Sequence, residues 1–241
     1  MARRRLLSFL FLLFCLAAFA GFIALGVWQV QRLAWKEDLI ARVDARVHAL
    51  PVDAPGQGDW SAVNKASHEY LRVQLTGGYL PEGISLVTAA TEEGQGYWVM
   101  TPVQRTDGSW VYINRGFVPQ AERAQASRGD FTPHGEVSVA GLLRLNQPGG
   151  GLLRDNVPAE HRWYSRDVLA MGERHGLAPV APFFIDADAS EQPGPIGGLT
   201  VIRFPNNHLV YAITWFALAL GVMLAAWLVI REQRKRCSRF L

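Results

Sequence analysis

His208 stands in Pro205-Asn206-Asn207-His208, immediately before a charge-free run that begins at Leu209. Asparagines are good N-cap residues, so His208 is expected in the first turn of a helix. That turn carries the partial positive charge of the helix dipole, and a neutral imidazole is the form that ligates a metal. Tyr211, Ala212 and Trp215 follow at +3, +4 and +7, on the same helical face. An imidazole above such an aromatic face would suit a flat, apolar, porphyrin-like ligand. Arg203 nearby, and Arg32 at the end of another apolar run, could pair with anionic groups of that ligand. The same His, Tyr and Trp also fit an aromatic belt at a membrane surface. Within Trp28-Gln29-x-x-Arg32-x-x-Trp35-Lys36, Arg32 and Lys36 lie one turn apart and could snorkel to headgroups. Gln29 could hydrogen-bond to a partner helix.

Other chemistry is poorly supported. His48, His68, His134, His161 and His175 lie in polar or loop-like stretches, and none is spaced from another as zinc ligands are. There is no His-Glu-x-x-His, Gly-x-Ser-x-Gly or Walker-type loop. Carboxylates are plentiful but unclustered. Cys15 lies in an apolar run and Cys237 in a basic tail, so the middle of the chain supports neither a disulfide framework nor a thiolate cluster.

Two elements must position His208 and its neighbours. Leu6 to Val30 is a charge-free run of 25 residues, and Leu209 to Ile230 one of 22. A bilayer core needs about 20. The chain therefore reads as a membrane protein with transmembrane helices at 6–30 and 209–230. A cleavable signal peptide competes for the first run, with Arg3–Arg5 as n-region and Ala18-Phe19-Ala20 as cleavage site, and a twin-arginine signal is a weaker variant. The apolar stretch continues through Phe22, Ile23, Leu25, Val27 and Trp28, which favours an uncleaved anchor.

Charge sets the expected orientation. The 241 residues carry 24 Lys+Arg and 21 Asp+Glu, but eight basic residues sit at the two ends. Positions 31–208 hold 16 basic against 20 acidic residues. A basic groove for nucleic acid is not supported. The positive-inside rule puts residues 1–5 and the tail 231–241 in the cytoplasm, and 31–208 outside. No long Arg- and Ser-rich leader precedes the first run, so a bacterial inner membrane with a periplasmic domain is favoured over a mitochondrial location.

The segment 31–208 reads as a β-dominated α+β domain. Helical spacing of Leu33, Leu39, Ile40 and Val43 predicts that the first helix continues to just before Pro51. Strands are expected at 70–75, broken by Gly77-Gly78, then at 84–87, 97–103, 110–118, 137–145 and 180–186. Asp107-Gly108 is a hairpin turn. A short strand then a helix are expected in 161–174, the helix starting near Ser165 with Asp167 in its first turn.

Four segments resemble the surfeit locus protein 1 family of cytochrome c oxidase assembly factors. They are Leu25–Lys36 (LGVWQVQRLAWK), Gly96–Val103 (GYWVMTPV), Val111–Pro119 (VYINRGFVP) and Pro205–Phe216 (PNNHLVYAITWF). Phe117 stands where many relatives carry Trp. The resemblance implies a non-catalytic role in building the core subunit of a haem-copper oxidase. It implies haem a as transient cargo, with His208 the axial ligand of its iron and Trp215 a stacking partner. Tyr211, Trp28, Arg32 and Arg203 complete the candidate binding set. The implied partners are the oxidase core subunit, the haem a synthase and membrane lipid. Gly96, Asn114, Arg115 and Gly116 are family-motif positions expected to be structural. Asn-Arg-Gly reads as a tight turn at a strand end, with Gly116 permitting a positive φ. A haem-independent scaffold for the same partners is the main alternative, and an extracytoplasmic enzyme a third class.

Overall fold

The computed structural model describes residues 2–151, 154–190, 193–200, 202 and 204–237. The chain divides into two units, one formed by Met1–Arg42 with Arg203–Leu241 and the other by Val43–Ile202.

The first unit is helical. Helix α1 spans Ala2–Val47, and a second long helix spans His208–Cys237. Leu6–Val47 and His208–Lys235 are each long and apolar enough to cross a membrane. Only 6% of the most apolar window of each is buried. A helix that is apolar all round yet uncovered by its own protein needs another apolar medium to face. The continuation of α1 past Val30 follows the helical spacing read from the sequence, and the helix ends four residues before Pro51.

The second unit is built on seven strands. These are β1 (Val52–Asp53), β2 (Arg72–Tyr79), β3 (Ser85–Thr91), β4 (Gly94–Gln104), β5 (Trp110–Pro119), β6 (Glu136–Leu145) and β7 (Val180–Ala187). Their order is β1-β2-β6-β7-β5-β4-β3, and β2 also pairs with β4 through Gly78↔Gln104 and Tyr79↔Val103. That extra pairing closes β2-β6-β7-β5-β4 into a barrel. Strand side chains alternate between faces. Val73 and Leu75 of β2, Val111 and Ile113 of β5, and Phe183 and Ile185 of β7 therefore all reach one interior cluster with Val103, Val139 and Leu143. The opposite faces of β5 and β7 supply Tyr112 and Phe184 to a second cluster. There Trp163, Val168 and Met171 cover them from outside the barrel.

Three short helices decorate it: α2 (Lys65–His68), α3 (Arg123–Arg128) and α4 (Val168–Arg174). The long C-terminal helix is α5 in this order. Strand β3 runs on to Thr91 and β4 begins at Gly94, beyond the expected bounds, and two further differences have a local cause. Strand β2 runs through Gly77-Gly78 instead of breaking there, because the glycines let β2 cross close to β4 at the closure; a Cβ at Gly77 would strike the Gln104 carbonyl. Helix α4 begins three residues after Ser165, and Asp167 is its N-cap, accepting from Ala170 N–H at 3.4 Å. The strand expected before it reduces to bridges at Arg162 and Trp163. Asp107-Gly108 does form the β4–β5 turn, with Arg105 N–H bonded to the Ser109 carbonyl at 2.9 Å.

Candidate functional site

The start of α5 places His208. The Asn207 carbonyl accepts the Tyr211 N–H at 3.2 Å, so Asn207 is the cap and His208 the first helical residue. The imidazole Nδ1 lies 2.7 Å from Oε1 of Gln29 on α1. Gln29 is only 8% exposed, in a run of otherwise apolar side chains. An amide oxygen can only accept, so Nδ1 carries the hydrogen of this bond, and it is Nε2 that would be left to bind a metal.

The same helix pair packs on from there. A Cβ on Gly26 would come within 2.5 Å of the Phe216 ring, so glycine sets the approach of the helices. Phe22 and Trp215 stack with ring centroids 5.7 Å apart at 26°. Phe22, Gly26 and Gln29 sit at i, i+4 and i+7, one face of α1. Trp215 Nε1 and Asn206 Oδ1 are buried and have no hydrogen-bond partner among the described residues. Unsatisfied buried polar atoms are rare and call for a reason.

The expected site residues are distributed around this contact. His208 meets Gln29, and Trp215 meets Phe22. Trp28 and Tyr211 are 53% and 55% exposed. The Arg32 guanidinium lies 3.9 Å over the Trp35 ring, and Lys36 lies 5.2 Å from the Phe204 ring. Arg203 lies outside the described residues. Sequence reasoning left Gln29 and Phe22 out of the binding set. Their spacing from Gly26, and a lone amide in an apolar run, were the signals available.

The Asn114-Arg115-Gly116 motif lies within the β unit. Trp98 pairs with Phe117 and Met100 with Asn114, so Arg115 and Gly116 together oppose Val99. This is a β-bulge inside β5, not a turn at its end. Gly116 does adopt a positive φ, of 124°, and a Cβ there would run into the Ile196 backbone. Gly96 is likewise overlain by the Val118 carbonyl and the Phe117 ring. Asn114 Oδ1 accepts from Gly116 N–H at 3.2 Å, and its Nδ2 donates to Asp186 at 2.7 Å.

Asp186 gathers distant segments. Its side chain is 3% exposed and also accepts from Arg144 (3.0 Å), Arg166 (3.3 Å) and Thr200 (3.1 Å). Glu69 completes the set with a 2.8 Å bond from Arg144 Nε. Burial works against both cations. For Arg144 the neighbouring Asp186 and Glu69 outweigh it and hold the guanidinium above its ordinary value. For Arg166 burial prevails, and Asp186 offsets only part of it. The arrangement balances two carboxylates against two guanidiniums inside the domain, the condition under which buried charge is tolerated.

A family model described as the SURF1 family matches residues 16–220, which takes in both helices' facing segments and the whole β unit. The chain belongs to the SURF1 family. It is 36% identical over 226 residues to Surfeit locus protein 1 of Rattus norvegicus, covering 86% of this chain and 71% of that one. It is 34% identical over 224 residues to a SURF1-like protein of Monosiga brevicollis, covering 87% and 83%. To Surfeit locus protein 1 of Homo sapiens it is 33% identical over 216 residues, covering 81% and 69%. The four segments that carried the resemblance lie inside the SURF1 match.

Proposed function

We propose that the protein is a two-span membrane assembly factor for a haem-copper cytochrome c oxidase, and that it holds haem a in transit to the oxidase core subunit. The observation that carries this reading is the 2.7 Å bond between His208 Nδ1 and Gln29 Oε1. Metal-binding histidines commonly donate their second ring N–H to an oxygen, which fixes the ring and makes the other nitrogen a better donor. His208 Nε2 is the axial donor to the iron. Trp215, Tyr211 and Trp28 supply aromatic surface, and Arg32, with Arg203 by its place in the sequence, is the cation proposed to pair with the propionates. The unpartnered Trp215 Nε1 supports the fit, because a buried donor without an acceptor suits a site that awaits a polar substituent. Single-sided ligation suits release. No residue takes a catalytic role.

The termini face the cytoplasm in this reading and the β unit faces the periplasm of a bacterial cell, as the basic ends favour. The haem a synthase is the donor and the oxidase core subunit the recipient. The Gln29–His208 bond also favours a second reading, a haem-independent scaffold, because an interhelical hydrogen bond is itself worth about 0.6 kcal/mol in a membrane. The visible spectrum of the full-length protein, purified in detergent from haem a-producing cells, separates the two. The expected outcome is a Soret band that falls at least about tenfold, relative to protein, in His208→Ala, since the only axial donor is removed. A colourless wild type would leave the scaffold reading, and an unchanged band in the variant would remove His208 from the site.

A further inference from the structure

At the level of Asn114 and Gly141 strand β7 comes to its end, while its neighbours β5 and β6 run on. Strand β5 takes Ile196 as its next partner, with both main-chain bonds made at Phe117. Strand β6 receives the Asp188 N–H at the Ala140 carbonyl, 3.0 Å away. Antiparallel strands turn alternate residues toward alternate neighbours. The Ser138 N–H and carbonyl therefore face the same side as those of Ala140, and among the described residues no main-chain partner meets them there. The resulting wedge in the barrel wall holds a cavity of about 310 Å³. Val137, Val139, Ala187 and Pro195 give it apolar walls.

Arg115, the middle residue of the Asn-Arg-Gly bulge, lines this cavity. Its guanidinium donates to Thr132 Oγ1 at 3.0 Å and to the Phe131 carbonyl, and lies 5.1 Å from the Tyr79 ring centre. None of these partners is an anion. Burial raises the Tyr79 phenol, which keeps it neutral, and burial also pulls the Arg115 guanidinium down from its ordinary value. The carboxylate on the cavity wall, Asp188, is held by both terminal nitrogens of Arg72. Arg115 is thus a half-buried cation with no carboxylate partner among the described residues, whereas Arg144 and Arg166 of the same domain each have one. A half-buried charge is costly unless compensated, and a guanidinium fork matches a carboxylate in particular.

We infer that this wedge is a binding site for a carboxylate on a short apolar stem, received by Arg115 and by the main chain of β6 at Ser138. The chemistry fits the C-terminal residue of a polypeptide or a small monocarboxylic acid. The inference is independent of His208 and of haem.

The test uses the full-length protein in detergent, labelled with phenylglyoxal, with the Arg115 adduct quantified by peptide mass spectrometry. Millimolar butyrate is expected to slow labelling of Arg115 about threefold or more as the site fills, and neutral butyramide to leave it unchanged. Acetyl-alanyl-valine and its C-terminal amide form a second pair. Stronger protection by the dipeptide acid assigns the site to a chain terminus, and stronger protection by butyrate to a free small acid. Equal labelling with and without both acids overturns the inference, as does equal protection by the neutral analogues. Ser138→Phe fills the wedge from an exposed strand position without touching the Arg115 bonds. It should abolish protection at an unchanged thermal midpoint, and protection that persists in this variant also overturns the site.

Discussion

Gln29 and Gly116 do their work through what a single substitution would remove. Gln29→Leu keeps the size of the side chain and deletes the acceptor for His208 Nδ1. If His208 carries the iron, haem retention should drop about tenfold, the lower end for loss of a partner behind a metal ligand. Titration of the variant with haem, followed at the Soret band, measures it. Retention equal to wild type would reduce the bond to a helix clamp. Gly116→Ala forces a Cβ into the Ile196 carbonyl at a φ of 124°. Strain of roughly 1–3 kcal/mol is expected from the backbone alone, and the thermal midpoint of the β unit should fall accordingly. Asp186→Ala is harsher, since it strands Arg166 and leaves Arg144 with Glu69 alone. A cost of about 3–5 kcal/mol follows from unpairing buried charge, which for a unit of this size is a midpoint lower by roughly 10 °C. A midpoint unchanged in Asp186→Ala would mean that the two arginines find water or each other's partners instead.

The elements show which kinds of pattern a linear chain reveals. Six strands could be read from alternation because each turns alternate residues into a core, as Val73 and Leu75 do toward the barrel interior and Val87 does outside it. The closure could not, because Gly77-Gly78 carries the ordinary signature of a break and only the proximity of Gln104 makes it a crossing point. His208 was legible because its cap, its helix and its aromatic neighbours are contiguous. Its partner was legible only in part: Gln29 was expected to bond to a partner helix, but nothing in the chain assigns that bond to a residue 179 positions away. The Asp186 cluster draws on six separated segments, and no spacing within any of them points to the others. Helix α4 gives a pH prediction. His175 follows its last turn, with Nε2 3.3 Å from buried Ser85 Oγ and its ring 5.8 Å from that of His161, which Arg174 also approaches. Burial, then His161 and Arg174, lower its pKa from 6.5. Above 6.5 the ring is neutral in folded and unfolded chains alike. As the pH falls below that value the unfolded chain takes up the proton first, so stability is lost on acidification. Thermal midpoints at pH 7.5 and 5 should differ less in His175→Gln than in the wild type, and an equal difference would clear His175 of the effect.

For the whole molecule, the distribution of charge against apolar length is the governing feature. Two helices of membrane-crossing length bracket the β unit in the chain, and basic residues crowd both extremities. The orientation rule then predicts that alkaline phosphatase fused after either terminus stays inactive, while the same reporter inserted at the Gly56–Gly58 turn is active. Activity at the C-terminal fusion would mean a single crossing and would detach His208 from the outer face. The middle region carries a small negative excess, so its association with partners should depend only weakly on salt, unlike that of a polybasic protein.

The span of chain between the two halves of the Gln29–His208 pair also sets an order of events during synthesis. The amide is made early and the imidazole near the end, with every strand of the barrel translated between them. A nascent polypeptide therefore possesses no oriented ring until its last helix has left the ribosome and met its first. A product truncated before His208, however well its barrel folds, lacks the pair entirely, so any step that needs the pair is confined to chains that reach the last helix.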